Sequence, residues 1–517
     1  YYLHANSPRV EADAIISWMS QGRRLPHAQR LENLAQTRGY SGTFGLPRES
    51  RLEPRGYAPK RILPRDTADG TIPSSIASAI LDRISNDDPD GARQLLDGVD
   101  GGLSSEARTE WRRRVAWSYY IENRDAEALA MAQLAKTGSG AWLPEAYWVS
   151  GIAAWRLNDC VQAAEDFENA GRYAANPELS AAGYYWAARA NTRCRMPQKV
   201  AELLRGASRL DETLYGMLAL EQLGREQPDR FGRVDFDRDD WNRIGGNSNV
   251  QMAVALSEIG EEDLAGEVLR HEAAIGDDGD YNRISRLARA LGLPGTQLFL
   301  AHRAPRGESP SAAARYPVAR WQPINGWKVD PALAYAHALQ ESNFQRSVTS
   351  PAGAQGLMQI MPIAAREYAG SIGLSSSSDL SDPGINLAFG QRALQALSQS
   401  SSTQGKLPKI MAAYNAGLTP VGRWEYEVRD QNDPLLYMES IPYWETRGYV
   451  AIVTRNYWMY ERQANARSPT REQLAANAWP LFPGLRQNSA QQTNLDLQCL
   501  VFNTTSIHMD WNRPLTS

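Results

Sequence analysis

Apolar positions recur at helical spacing along most of the chain, and the character of the pattern changes several times. Residues 1–72 are the least regular. Periodicity weakens after about residue 40 and Gly, Pro and Arg recur, so this stretch is predicted to be a helical arm followed by an irregular segment. From 73 to 208 the pattern becomes a series of short helices. Tyr120-Ile-Glu-Asn-Arg-Asp-Ala-Glu-Ala128-Leu returns about 35 residues later as Trp155-Arg-Leu-Asn-Asp-Cys-Val-Gln-Ala163-Ala. A further shift of 34 residues aligns Ala153-Ala154 with Ala187-Ala188 and Cys160 with Cys194. A period near 34, with small residues between aromatics, marks stacked helical hairpins similar to tetratricopeptide repeats. Such a stack is also compatible with a scaffold that has no ligand of its own.

Residues 209–318 keep the helical spacing but lose the period. Gln251 to Leu269 reads as one hairpin, and Ile284 to Leu300 as another, broken at Pro294-Gly295. Gly307-Glu-Ser-Pro310-Ser311 is turn-rich and announces a new unit over 319–485. There Asp330 suits an N-cap and Pro331 a first helical position. Leu407, Ile410, Met411 and Tyr414 fall on one helical face, with Gly417 just beyond its end. Tyr449, Ile452, Val453, Tyr457 and Tyr460 continue the pattern in a last long helix. Residues 486–517 are polar and aperiodic and read as a tail. The predicted fold is mainly α: a superhelical solenoid of hairpins followed by a compact helical domain with minor β structure.

The length, 517 residues, exceeds what one core supports. A hydrophobic share of 42% with 22% charged residues is ordinary for a water-soluble globular chain. The net charge of −4 gives no reason to expect nucleic acid or an anionic membrane as partner. No apolar run approaches the roughly 20 residues of a membrane span, and the chain opens Tyr1-Tyr-Leu-His with no signal peptide. Three cysteines and six scattered histidines make neither a disulfide framework nor a metal-ligand pattern, so no metal or other cofactor is expected. Cys160 and Cys194, equivalent in adjacent repeats, are predicted neighbours, bonded if the compartment is oxidising. The 15 tryptophans and 22 tyrosines serve helix packing or sugar stacking.

The chemistry concentrates in three segments. Pro331-Ala-Leu-Ala-Tyr-Ala-His337-Ala-Leu-Gln-Glu341-Ser-Asn-Phe344 places a single carboxylate in an apolar helix, with Ala334, Ala338 and Phe344 on its face. An apolar site disfavours the charged form and raises a carboxyl pKa, which fits a proton donor near neutral pH. The competing reading of Glu341 is a solvated residue on an amphipathic helix. His337, one turn earlier, is either a general base or a hydrogen-bonded core histidine. Ser350-Pro-Ala-Gly353-Ala-Gln-Gly356-Leu-Met358-Gln359-Ile-Met361-Pro362 follows. Its glycines let backbone approach a ligand, and Met358 to Met361 suggest a soft apolar lid. The third segment is Ala412-Ala-Tyr414-Asn415-Ala-Gly417, in which Asn415 falls off the buried stripe.

In this order and spacing the three segments resemble the catalytic core of soluble lytic murein transglycosylases, lysozyme-like enzymes that cut the glycan strand of peptidoglycan. The resemblance covers roughly 319–465 and includes Glu439-Ser-Ile-Pro442 and Glu445-Thr-Arg447-Gly-Tyr449. It implies a lysozyme-like domain and Glu341 as the catalytic acid and base. It assigns Ser350, Gln359, Met361, Tyr414, Asn415 and Glu439 to substrate binding. Glu445 and Arg447 are read as an ion pair or as helix-start contacts. The family usually carries Thr shortly after Met-Pro, where this chain has Ile363-Ala364-Ala365, so a weakened helix cap is expected there.

The implied reaction cleaves the β-1,4 bond between N-acetylmuramic acid and N-acetylglucosamine. It closes a 1,6-anhydro ring without consuming water. The implied partners are glycan strands and, among proteins, those of cell-wall synthesis or division; the implied compartment is the periplasm. A lysozyme-type hydrolase and a non-catalytic glycan-binding adaptor are the alternatives.

Overall fold

The computed structural model describes residue 3 and residues 8–226, 235–277 and 279–484. The predicted tail at 486–517 and Cys499 lie outside the described residues. The fold is mainly α, as the spacing implied. Two helices open it, α1 (Ala12–Gly22) and α2 (Ala28–Thr37), closed on a small core of Ile15, Met19, Leu31 and Phe44. Irregular chain follows to residue 73, broken by a two-residue strand, Glu53–Pro54, which pairs antiparallel with Arg303–Ala304.

The repeat region is a stack of antiparallel helices: α3 (Ser74–Ser85), α4 (Pro89–Asp97), α5 (Ser105–Ile121), α6 (Asp125–Ala135), α7 (Leu143–Arg156), α8 (Cys160–Tyr173), α9 (Pro177–Arg193), α10 (Val200–Ser208) and α11 (Leu214–Gln222). In the α3–α4, α5–α6, α7–α8 and α9–α10 turns one left-handed residue stands two positions past the first helix: Asp87, Asn123, Asn158 and Arg195. The packing recurs with the turns. Arg156 donates to the Tyr120 carbonyl at 3.0 Å, and Arg193 to the Trp155 carbonyl at 3.0 Å. Small residues let helices approach closely. A Cβ on Gly183 would sit 2.3 Å from the Gly171 backbone nitrogen of α8. The equivalent Cys160 and Cys194 are bonded, with Cα atoms 5.6 Å apart. Most tryptophans here pack; Trp186 is fully buried among Trp148, Trp155 and Phe167.

The unperiodic stretch folds as α12 (Arg238–Ile244), α13 (Ser248–Glu258), α14 (Glu262–Ile275), α15 (Tyr281–Ala290) and α16 (Pro294–His302), around a core of its own. Pro294 is the first residue of α16, which accounts for the predicted break. The last unit contains α17 (Pro331–Ser342), α18 (Pro362–Tyr368), α19 (Pro383–Ser398), α20 (Leu407–Ala416), α21 (Leu418–Glu427), α22 (Pro434–Ser440), α23 (Trp444–Gln463) and α24 (Pro469–Ala475). Its β content among the described residues is limited to isolated bridges, two of them around Gln355.

The solenoid and the last unit share one hydrophobic core, which takes in residues from Ile80 to Leu474. The Tyr120 hydroxyl meets the Ser440 hydroxyl at 2.7 Å, and Arg429 reaches Asp125 at 3.2 Å. The irregular segment threads this junction. Arg61 lies 3.4 Å from Glu145 of the solenoid and 3.3 Å from Glu439 of α22.

Candidate active site

Helix α17 begins as its sequence dictates: the Asp330 side chain accepts from the Ala332 amide and Pro331 occupies the first turn. It ends where Asn343 and Phe344 both adopt left-handed backbone, which turns the chain and buries Phe344 behind the helix. Ala334 and Ala338 are fully buried, so the face that carries Glu341 is largely dry. Burial raises the Glu341 carboxyl from its ordinary range to about 7, with a smaller push from Glu445; a hydrogen bond from Tyr449 opposes both.

That hydrogen bond belongs to a chain. The Tyr449 hydroxyl, from α23, donates to Glu341 Oε1 at 2.6 Å. The same hydroxyl is 2.7 Å from His337 Nδ1. Since the Tyr449 proton points at the carboxylate, His337 must donate from Nδ1. Burial drives the His337 pKa down to about 3, so the ring stays neutral. His337 is therefore the hydrogen-bonded core histidine rather than a base. The sequence places Tyr449 on a buried stripe and in the Glu-Thr-Arg-x-Tyr segment of the resemblance, but gives it no role in the site. Removing its hydroxyl takes away the interaction that lowers the Glu341 pKa. In Tyr449→Phe the carboxyl should titrate at a higher pH than in the unmodified chain. A proton titration of Glu341 by NMR checks this, and an unchanged midpoint would disprove the coupling.

The loop after α17 is a braced turn. The Ala354 amide donates to the Ser350 hydroxyl at 3.0 Å, and the Ser350 amide to the Ala354 carbonyl at 2.8 Å. Gly356 has positive φ, and a Cβ there would lie 2.2 Å from the Leu380 carbonyl, so glycine is required. Gln359, also left-handed, folds back and donates to the Gly356 carbonyl at 2.8 Å. The predicted methionine lid divides. Met358 is fully buried, and a Cβ on Gly390 of α19 would meet its sulfur at 2.1 Å, so it is core. Met361 is exposed at the start of α18, which has no side-chain cap, as the absent Thr implied. Asn386 of α19, which sequence reasoning missed, is fully buried. It accepts from the Met358 amide at 2.8 Å and donates to the Gln355 and Leu380 carbonyls.

On α20, Tyr414 donates to the Met358 carbonyl at 2.8 Å and packs its ring on His337, 4.6 Å between centroids. Asn415 accepts from the Thr446 hydroxyl at 2.6 Å. Glu341, Tyr414, Asn415 and the 350–361 loop are thus linked through a few direct contacts. Glu439 is placed elsewhere. It is buried at the solenoid junction, where Tyr215 donates to it at 2.7 Å and Arg61 at 3.3 Å. Arg447 does make helix-start contacts, to the Ile441 and Pro442 carbonyls at 3.0 and 3.4 Å. Glu445 is not bonded to it. It is exposed and is the carboxylate whose field reaches Glu341. Among the described residues no group of three or more His, Cys, Asp or Glu is placed to hold a metal ion.

Residues 322–436 match the transglycosylase SLT domain family. The resemblance to soluble lytic murein transglycosylases is thereby borne out for this region. The soluble lytic murein transglycosylase of Escherichia coli K12 is 37% identical over 158 residues, which is 30% of this chain and 24% of that protein. The putative soluble lytic murein transglycosylase of Haemophilus influenzae is 33% identical over 166 residues, 31% of this chain and 26% of that protein. The chain spans about a quarter of the length of these curated relatives in the match. The fold extends further. The 70 kDa soluble lytic transglycosylase of Escherichia coli superposes with a TM-score of 0.59 at 21% identity, covering 80% of this chain and 66% of that one. An inactive mutant of lytic transglycosylase Slt from Pseudomonas aeruginosa gives 0.56 at 20% identity, covering 89% and 74%. The architecture of solenoid plus lysozyme-like domain is therefore shared with these structures.

Proposed function

We propose that the chain is a lytic transglycosylase that cleaves the β-1,4 bond between N-acetylmuramic acid and N-acetylglucosamine in peptidoglycan. The observation that carries this is Glu341: a largely buried carboxyl with its pKa raised to about 7 and one oxygen fixed by Tyr449. Near neutral pH a substantial share of it is protonated and able to donate to the leaving glycosidic oxygen. Tyr449 on Oε1 leaves the proton on Oε2, so the donor has one orientation. Once ionised, Glu341 is the base that takes the proton of the muramic acid C6 hydroxyl. That hydroxyl attacks C1 and closes the anhydro ring, favoured by its intramolecular placement.

Ser350, Gln359, Met361, Tyr414 and Asn415 form the walls around the reacting bond. Met361 is the exposed apolar contact, and Tyr414 and Asn415 the wall opposite the loop. Glu439 acts on the site through the junction, holding α22 and the approach to α23 against Arg61. The bonded Cys160 and Cys194 suit an oxidising compartment, in keeping with the periplasm. No helix among the described residues is long and apolar enough to cross a membrane.

The hydrolase alternative in its usual form uses a second carboxylate to activate water. Glu445, not Glu439, is the group positioned to be tested for it. Digestion of purified sacculi followed by mass spectrometry should give 1,6-anhydromuropeptides, lighter by one water than hydrolysis products. Mainly reducing muramic acid ends, lost on Glu445→Gln, would instead establish the hydrolase.

A further inference from the structure

A cavity of about 360 Å3 lies behind the loop that follows Glu341, where α14 and the start of α16 meet residues 344–348. Its volume falls in the range of small-ligand sites. None of the residues assigned above to glycan binding lines it. Trp321 and Phe344 give it an apolar wall, and Glu262, Asp263, Arg270 and Arg346 bring two charges of each sign.

The charges are not evenly matched. Arg346 lies 2.8 Å from Asp263 and 3.6 Å from Glu262. Arg270 is half-buried and donates to the Thr296 hydroxyl at 2.8 Å, but no carboxylate of the described residues stands within contact distance of it. The carboxylates in its field are Glu267 and Asp263. Glu267 is engaged by His27 at 2.8 Å, and Asp263 by Arg346. Burial pushes the Arg270 pKa down, as expected of a partly desolvated cation without a carboxylate in contact. An unmatched charge in such a place is costly, and an incoming carboxylate relieves that cost. Beside it, the largely exposed Asp263 has room to accept an ammonium group.

We propose that this cavity is a second ligand site, which takes the peptide stem of a murein strand through a carboxylate on Arg270, an ammonium at Asp263 and apolar contact with Trp321. The proposal rests on the glycan-cleaving reading for its choice of ligand. Stem peptides supply these groups together, because they carry carboxylates and a diamino acid. The site is coupled to the loop beside Glu341. Arg346 lies five residues after Glu341, and the Val348 carbonyl accepts from the Gly356 amide at 2.9 Å and from Gln359 at 3.3 Å. A stem held at Arg270 and at Asp263, the partner of Arg346, therefore steadies the loop that faces the glycan.

Calorimetric titration of the full chain carrying Glu341→Gln, with a sugar-free murein tetrapeptide, tests the idea. Saturable binding is expected, weakened about tenfold or more by Arg270→Met and by Asp263→Asn. Affinity for a peptide-free N-acetylglucosamine oligomer should be unchanged in both variants. Asp263 is 88% exposed, so its substitution leaves the fold intact even where Arg270→Met does not. Peptide affinity indifferent to Asp263→Asn and Arg270→Met, or oligomer binding without any peptide binding, would overturn the second site and leave the glycan-cleaving reading in place. Variant-sensitive peptide binding, with no oligomer binding and no cleavage of sacculi by the unmodified chain, would support the site and remove that reading.

Discussion

Glu341→Gln should slow glycan cleavage by about 10²–10⁴, the usual worth of general acid–base catalysis, with the far-ultraviolet circular dichroism unchanged. The amide keeps the shape of the carboxyl but neither donates nor takes up the proton. Cleavage within tenfold of the unmodified chain would remove Glu341 from the reaction.

The same substitution has a stability signature. The Glu341 carboxyl is raised from 4.5 to about 7 by burial, so between those values the folded chain holds a proton that the unfolded chain has lost. Its stabilising contribution is complete below pH 4.5 and is lost as the pH rises through 7. The Gln variant has no such loss. Its melting temperature should therefore gain on the unmodified chain as the pH rises from 4.5 to about 7, and hold that gain above it. A margin that grows as the pH falls would contradict the burial of this group. Activity should decline over the same alkaline range as the donor ionises, which a pH–rate profile reads directly.

Glu145→Gln should be the most damaging change outside the active site, lowering stability by about 3–5 kcal/mol. Glu145 is buried and lies 3.0 Å from Arg113 and 3.4 Å from Arg61. Burial alone pushes its pKa up, but the two guanidiniums outweigh this and hold it below the usual range. The Gln variant leaves both cations in the junction without that counter-charge. Because Arg61 also reaches Glu439, loosening it frees the irregular segment from both the solenoid and α22. Urea unfolding checks the prediction. A loss below about 1 kcal/mol, the scale of an exposed pair, would show that water or Glu439 suffices as partner.

How much could be read from the chain follows the range of the forces involved. The hairpin repeat, the cap at Asp330–Pro331, the break at Pro294, the end of α20 at Gly417 and the uncapped start of α18 were legible because they depend on residues within a few positions. Cys160 and Cys194 were predicted neighbours because a repeat converts a sequence offset into a fixed spatial one. The irregular segment after residue 40 was the opposite case. It has no periodicity because its partners are distant: Glu145, Glu439 and the 303–304 strand hold it, and none of these is a local signal.

The candidate site divides along the same line. The sequence by itself determined that one glutamate sits in an apolar helix ahead of a glycine-braced loop, and that Tyr414 and Asn415 share a helix end. Those are consequences of helical geometry and of backbone that only glycine permits. Only the tertiary structure decided which groups meet Glu341. Tyr449 and His337 are 112 residues apart and join in a hydrogen-bond chain because α23 packs on α17. Glu439 and Glu445 are six residues apart in one motif, yet one is drawn into the junction by Arg61 and Tyr215 while the other faces the site. Periodicity tells that a side chain is buried. Which partner it meets, and hence its charge and role, is fixed by the docking of helices far apart in the chain.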